Sequence, residues 1–282
     1  MSEFNTLITA EDLKKIVNDP DLVIVDCQFS LQDKELGRRN YLSAHIPGAV
    51  FADLEDDLSG EIIPRKTGRH PLPEIGAFAD TLSQWGIDEG TQVVAYDNLH
   101  NAAASRLWWM LRWLGHYSVA VLDGGINQWM KLGYPTNSGE EKNTARTFIP
   151  KERPEIIVTA KDILDKRIPL LIDSRSTPRY NGEEEPIDPV AGHIPGAINS
   201  FFQHTLTDDD RFLDQKTLNN HFTEVLKDVP ADQAVFYCGS GVTAVVNILA
   251  LMISGLGEAR IYPDSWSGWI TDPSHPIATK EE

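Results

Sequence analysis

Cys238 heads the run Cys238-Gly239-Ser240-Gly241-Val242-Thr243, directly after the apolar stretch Ala234 to Tyr237 and where the helix-patterned stretch Thr243 to Ser254 opens. A cysteine between a strand end and a helix start meets several backbone N–H groups and the positive end of the helix dipole. Such surroundings lower a thiol pKa from about 8.5 and make the thiolate available at neutral pH. The chemistry this permits is nucleophilic, with the sulfur attacking a donor and holding the transferred group covalently. Gly239 and Gly241 let the loop turn back on itself without a Cβ penalty, and Gly239, Gly241, Val242 and Thr243 are expected to line the substrate. The other cysteine, Cys27, ends an apolar run with no glycine loop behind it and is expected to be a packing residue.

The elements that must position this loop recur twice. Leu22 to Val25, Val93 to Tyr96 and Val119 to Leu122 are short, β-branched apolar runs that predict buried strands, and Ala77 to Trp85 and Ala103 to Leu114 have helical spacing. Farther on, Leu170 to Ile172, Ala234 to Tyr237 and Arg260 to Tyr262 predict strands, and Ala160 to Asp165, Leu218 to Leu226 and Thr243 to Ser254 predict helices. The two series align in order: Ile8 to Leu13 with Val158 to Ile163, Val23 to Asp26 with Leu170 to Asp173, Val94 to Asp97 with Val235 to Cys238, and Trp129 with Trp269. HIPGAV, from His45 to Val50, answers HIPGAI, from His193 to Ile198. A period this long predicts two globular domains and not a solenoid, whose repeats run about 20 to 50 residues. Alternating strands and helices make each an α/β domain with a mostly parallel sheet and helices on both faces. The expected division is 1–137 and 157–282, joined by a linker at 138–156, where the chain is polar and charged and carries Pro150 and Pro154.

The chain has 282 residues, enough for two domains with a core each, and a formal charge of −17 that argues against nucleic acid or an anionic membrane as partner. No apolar run approaches the roughly 20 residues of a membrane helix, and Met1 to Ala10 lacks the basic and apolar blocks of a secretory signal. With two cysteines and no Asn-x-Ser/Thr sequon, the expectation is a cytoplasmic protein without a disulfide framework. No Cys/His spacing suggests a metal site and no GxxxxGK or GxGxxG loop suggests a nucleotide, so neither metal nor cofactor is expected.

The twin HIPGA motifs, the CGSGVTA loop and the segment Ser265-Trp266-Ser267-Gly268-Trp269 together resemble the tandem rhodanese-type sulfurtransferases over nearly the whole chain. The resemblance implies a silent first domain, with Asp97 where the second has Cys238, and a persulfide-forming second domain. Its CGSGVT loop is similar to that of 3-mercaptopyruvate sulfurtransferases, whereas thiosulfate-using rhodaneses carry CRKGVT, with two cations for a dianion. By the same resemblance Ser240 works with His70 and with Glu55, and Arg179 binds the donor's carboxylate. The mercaptopyruvate enzymes have a second arginine after a Glu-Pro pair; here Glu185-Pro186 is followed by Ile187-Asp188, which removes half of the expected clamp. Arg65, Lys66 and Arg69 flank His70 and are either ordinary loop charges or the source of the missing one, and Arg175 either braces its loop or touches substrate. The family has Gly where Asp264 stands and Glu where Gly268 stands; Asp tolerates left-handed backbone, which would keep the turn.

The implied reaction is a double displacement: Cys238 takes sulfur from 3-mercaptopyruvate, a small anionic donor, and a second nucleophile such as cyanide, a small thiol or reduced thioredoxin removes it. The alternatives are a thiosulfate:cyanide sulfurtransferase and a noncatalytic rhodanese-like binding protein. A related cysteine phosphatase would need arginine where Ala244 stands. The remaining features read as architecture: His45 and His193 each make the same kind of architectural hydrogen bond in equivalent places, Asp26 and Asp173 fix the loops after their strands, Trp108, Trp109 and Trp113 pack, and Glu183 to Glu185 form a solvated acidic run.

Overall fold

A computed structural model describes residues 4–280. The chain separates into two compact units: 1–60, 73–153 and 208–212 form the first, and 61–72, 154–207 and 213–282 the second.

In the first unit the elements run β1 (Leu7–Ile8), α1 (Ala10–Ile16), β2 (Leu22–Asp26), α2 (Leu36–Ser43), β3 (Val50–Phe51), α3 (Ile75–Gln84), β4 (Gln92–Tyr96), α4 (Ala102–Trp113), β5 (Val119–Leu122) and α5 (Gly125–Lys131). The sheet order is β1-β5-β4-β2-β3, and every pairing is parallel. All residues of β4 and β5 are buried, as strands covered on both faces require. Helix α4 is buried throughout, and the stacked rings of Trp109 and Trp113 lie 6.0 Å apart, so these indoles pack as expected. The stretch 138–153 is not a free tether: Arg146 N donates to Ser83 O, Lys151 N to Leu114 O and Arg153 N to Trp113 O.

The second unit repeats the plan with α6 (Ala160–Leu164), β6 (Leu170–Asp173), α7 (Thr177–Asn181), β7 (Ile198–Asn199), α8 (Gln215–Leu226), β8 (Ala234–Tyr237), α9 (Ala244–Ile253), β9 (Arg260–Ile261) and α10 (Ser265–Trp269). Its parallel sheet has the order β7-β6-β8-β9, and an isolated parallel bridge from Ile157 to Ile261 stands where β1 stands in the first. Expected strands and helices fall within one to three residues of the observed ones, while the two-residue strands β1, β3 and β7 are too short to show periodicity.

The HIPGA motifs explain why the duplicated sheets keep one shape. Ile46 N donates to the Tyr96 hydroxyl and Ile194 N to the Tyr237 hydroxyl, each at 3.1 Å, which ties the motif to the central strand. His45 Nδ1 lies 2.7 Å from Tyr41 O and His193 Nδ1 2.8 Å from Tyr180 O, and each imidazole stacks on the same tyrosine. Gly48 and Gly196 have φ of 80° and 84°, a left-handed turn that glycine adopts without strain.

Candidate active site

Cys238 follows β8 and precedes α9, and it is 1% exposed. Its N–H donates to Ser265 Oγ at 3.1 Å, its carbonyl accepts from Trp266 N at 3.0 Å, and Gly239 O accepts from Ser267 N at 2.8 Å. The start of α10 therefore holds the start of the loop. Burial by itself would push the Cys238 thiol up. The Thr243 hydroxyl and the N–H groups of Ser240, Ala244 and Thr243 outweigh it and hold the pKa below its ordinary value. Gly241, with φ of 77°, supplies the left-handed turn, and Val242 packs the loop down at 5% exposure. Gly239 serves differently from the expectation. It lacks a positive φ, but a Cβ there would lie 2.9 Å from Arg69 Nη2, so its bareness makes room for that guanidinium, while Arg179, at 3.5 and 3.6 Å, would be in ordinary contact.

His70 and Ser240 meet, with Nδ1 2.8 Å from Oγ. His70 reaches this position because 61–72 packs with the second unit. Arg69 N donates to Ser267 Oγ at 3.0 Å, and a Cβ on Gly68 would sit 2.7 Å from that same oxygen and 2.8 Å from Asp264 O. The two departures near the carboxyl terminus belong to this close approach: a side chain at Gly268 would collide with the Asp264 Cβ at 2.5 Å. Asp264 itself has φ of −65°, so the left-handed residue is not Asp264 but Ser265, at 54°.

Arg179, on α7, binds Glu185 through Nε and Nη2 at 2.7 to 3.1 Å and Asp188 through Nη2 at 3.1 Å. Asp188 also accepts from Arg69 Nε at 3.0 Å and Nη2 at 3.3 Å. Glu185 is thus a buried ion-pair partner and not a solvated charge, its side chain 4% exposed. Burial pushes its carboxyl up, but Arg179 and the N–H groups of Asp188 and Ile187 overcome this and hold it low. Ile187, 44% exposed, offers no cation in place of the missing arginine. Arg65 and Lys66 are exposed, whereas Arg69 is drawn in. Arg175 is a brace: it bonds Asp173 at 2.6 Å and Gly192 O at 2.6 Å and covers the Trp266 ring at 4.8 Å. Glu55 lies in the first unit, where Lys34 Nζ donates to it at 2.5 Å.

The first unit holds a carboxylate in the same kind of cradle. Asp97 accepts from Leu99 N at 2.9 Å and Ala104 N at 3.0 Å, and its carbonyl accepts from Ile126 N at 3.1 Å, as Cys238 O does from Trp266 N. Burial pushes its pKa up to about 7. Gly125, with φ of 55°, occupies the place of Ser265; a Cβ there would lie 2.1 Å from Asp97 O. Ser265 thus puts a hydroxyl where the first unit has glycine. Asp188 was visible only as part of a departure. Among the described residues no group of three or more His, Cys, Asp or Glu side chains is placed to hold a metal ion, and no helix is long and apolar enough to cross a membrane.

Residues 9–132 and 158–272 each match the rhodanese-like domain. The chain is 44% identical, over 97% of its length and 98% of the relative's, to a Pseudomonas aeruginosa protein named "Probable 3-mercaptopyruvate sulfurtransferase". It is 36% identical, over 96% of both chains, to a Mycobacterium tuberculosis protein named "Putative thiosulfate sulfurtransferase SseB". Among solved structures, the 3-mercaptopyruvate sulfurtransferase from Leishmania major superposes with a TM-score of 0.82 at 30% identity, over 93% of this chain and 73% of that one.

Proposed function

The chain belongs to the rhodanese-like family and is a sulfurtransferase, and from that premise we propose that it moves sulfur from 3-mercaptopyruvate through a Cys238 persulfide to a thiol acceptor. The observation that carries this reading is the thiol's cradle: one hydroxyl and three backbone N–H groups facing Sγ, with Ser240 and His70 hydrogen-bonded beside it.

The Cys238 thiolate attacks the donor's sulfur. A sulfur–sulfur bond forms as the carbon–sulfur bond breaks, and the electron pair leaves on carbon as pyruvate enolate. The donor's thiol proton ends on that carbon, giving pyruvate and a deprotonated persulfide, so the step needs no external oxidant. Ser240 and His70 form the path for that proton. Gly239, Gly241, Val242 and Thr243 line the donor, and Arg179 holds its carboxylate. An acceptor thiolate or cyanide then attacks the outer sulfur and releases the Cys238 thiolate. Reduced thioredoxin would end this step as its disulfide, with hydrogen sulfide released. Two unpaired cysteines suit a reducing compartment such as the cytoplasm.

A second reading, thiosulfate as donor, is favoured by the 36% identical relative whose name is that of a putative thiosulfate sulfurtransferase. Comparing kcat/KM for the two donors on one preparation separates them: a higher value for mercaptopyruvate is expected, and a preference for thiosulfate overturns the first choice. Intact-protein mass after donor treatment should show one added sulfur atom in the wild type and none in Cys238→Ser.

A further inference from the structure

The cations above the active loop come from two separate stretches of chain. Arg179 is delivered by α7 and Arg69 by the segment 61–72, and one buried carboxylate, Asp188, binds both. The Asp188 side chain is 2% exposed while that of Arg69 is 29% exposed, so the anchor is inside and the fork reaches outward. Both forks end near Gly239, beside Cys238: a Cβ there would come within 2.9 Å of Arg69 Nη2, and into ordinary contact, 3.5 and 3.6 Å, with Arg179. The ion pairs use Nε and Nη2 of each arginine and leave Nη1 of each outside these bonds.

We propose that Arg69 is a specificity-determining residue, the second half of a two-arginine clamp that holds the donor's carboxylate, and that Asp188 is the positioning residue that aligns both halves. The proposal rests on the reading of Cys238 as nucleophile and a 2-oxo acid as donor. A guanidinium pinned by a buried carboxylate has already lost the freedom that binding would otherwise remove, and its planar fork suits a carboxylate's two oxygens. The local charge is balanced, because Arg69, Arg175 and Arg179 face Asp173, Asp188 and Glu185. Directed bonds to a monocarboxylate therefore govern recognition here, and a dianion gains little from net field. Glycine at 239 is part of the same device, since any side chain there would displace Arg69.

The test compares the wild type with Arg69→Ala, Arg69→Lys and Asp188→Asn. Two quantities are read: kinetics with mercaptopyruvate, and the Kd of pyruvate, the probe ligand, measured by calorimetry on resting enzyme. Arg69→Ala should raise KM and the pyruvate Kd roughly 10- to 100-fold, the range for a lost charge-assisted bond, with kcat and its pH profile little changed. Arg69→Lys should recover part of the loss, having the charge without the fork. Asp188→Asn should raise KM with Arg69 still present, and the double variant Arg69→Ala/Asp188→Asn should fall short of the product of the single effects. Unchanged KM and Kd in Arg69→Ala, or a fall in kcat alone, which would show only a disturbed His70, overturns the proposal. Failure of the underlying reading has a different signature, the absence of added sulfur on wild-type Cys238. Arg69-dependent pyruvate binding would still uphold the clamp in that case, and no pyruvate binding by the wild type would sink it.

Discussion

Cys27 and Cys238 are both 1% exposed, so contact with solvent does not separate them. What differs is the polarity of the atoms around each sulfur. Cys27 is pushed well above its ordinary value by burial first and then by the nearby carboxyls Asp97, Asp26 and Asp57, and its Sγ points at Val25 O. Cys238 faces donors, and its pKa falls despite burial. Cys238→Ser should abolish turnover, while Cys27→Ser should leave kcat/KM within about two-fold and cost about 2 kcal/mol of stability or less; assays and urea melts of both variants decide this. The sign with pH follows. A depressed thiol pKa keeps the thiolate populated at lower pH, so the acid limb of kcat/KM should lie below the range of a free cysteine. Thr243→Val removes the hydroxyl donor and should move that limb toward alkaline pH by roughly one unit, given the usual worth of a hydrogen bond to a charged group. An unmoved limb would show that the loop N–H groups alone set the thiol.

At the scale of elements, the setting of Cys238 depends on where α10 starts. Ser265 holds a left-handed φ of 54° and accepts from Cys238 N, whereas its counterpart Gly125 has nearly the same φ, 55°, and no side chain to offer. Ser265→Ala removes the acceptor and keeps the backbone strain, so it should destabilise by about 1 to 3 kcal/mol, the cost of an unsatisfied buried N–H. Ser265→Gly removes the same acceptor but relieves the left-handed residue, worth roughly 1 kcal/mol, and should lose less stability in a urea titration. Equal losses would mean that the turn carries no strain. The alignment of Val94 to Asp97 with Val235 to Cys238 brings the two cradles to equivalent positions, because strand and helix start are written in local apolar pattern. Ser265, Asp188 and the inward turn of Arg69 depend on contacts between stretches far apart in the chain, of which local pattern holds no trace. The HIPGA and Cys238 segments were legible because each is a continuous motif; Glu185 was misread because a run of three acids looks solvated until Arg175 and Arg179 are seen beside it.

At the scale of the whole molecule, duplication has left two units with one plan and differently shifted buried groups. In the first unit burial raises Asp97 to about 7 and Asp26 to about 6, and pushes Asp57 and Asp123 in the same direction. A carboxyl whose folded pKa lies above its unfolded value, about 3.9, binds more protons when folded. Its contribution is present at low pH and is lost as pH rises through the folded value. In the second unit burial depresses His221, and Cys238 is also depressed; both bind fewer protons when folded, so they add stability as pH rises. Asp264, raised by burial, opposes them. Between pH 5 and 8 the first unit should therefore lose stability while the second changes little or gains. The loss is bounded by about 1.4 kcal/mol per group for each pH unit crossed. Hydrogen exchange on the intact chain, read as opening free energies for amides of β4 and β8 at both pH values, measures this directly. An unchanged opening free energy in β4 would mean that Asp97 and Asp26 titrate in the folded chain as they do in the unfolded one, and that the cradle of the first unit holds its carboxylate at no cost.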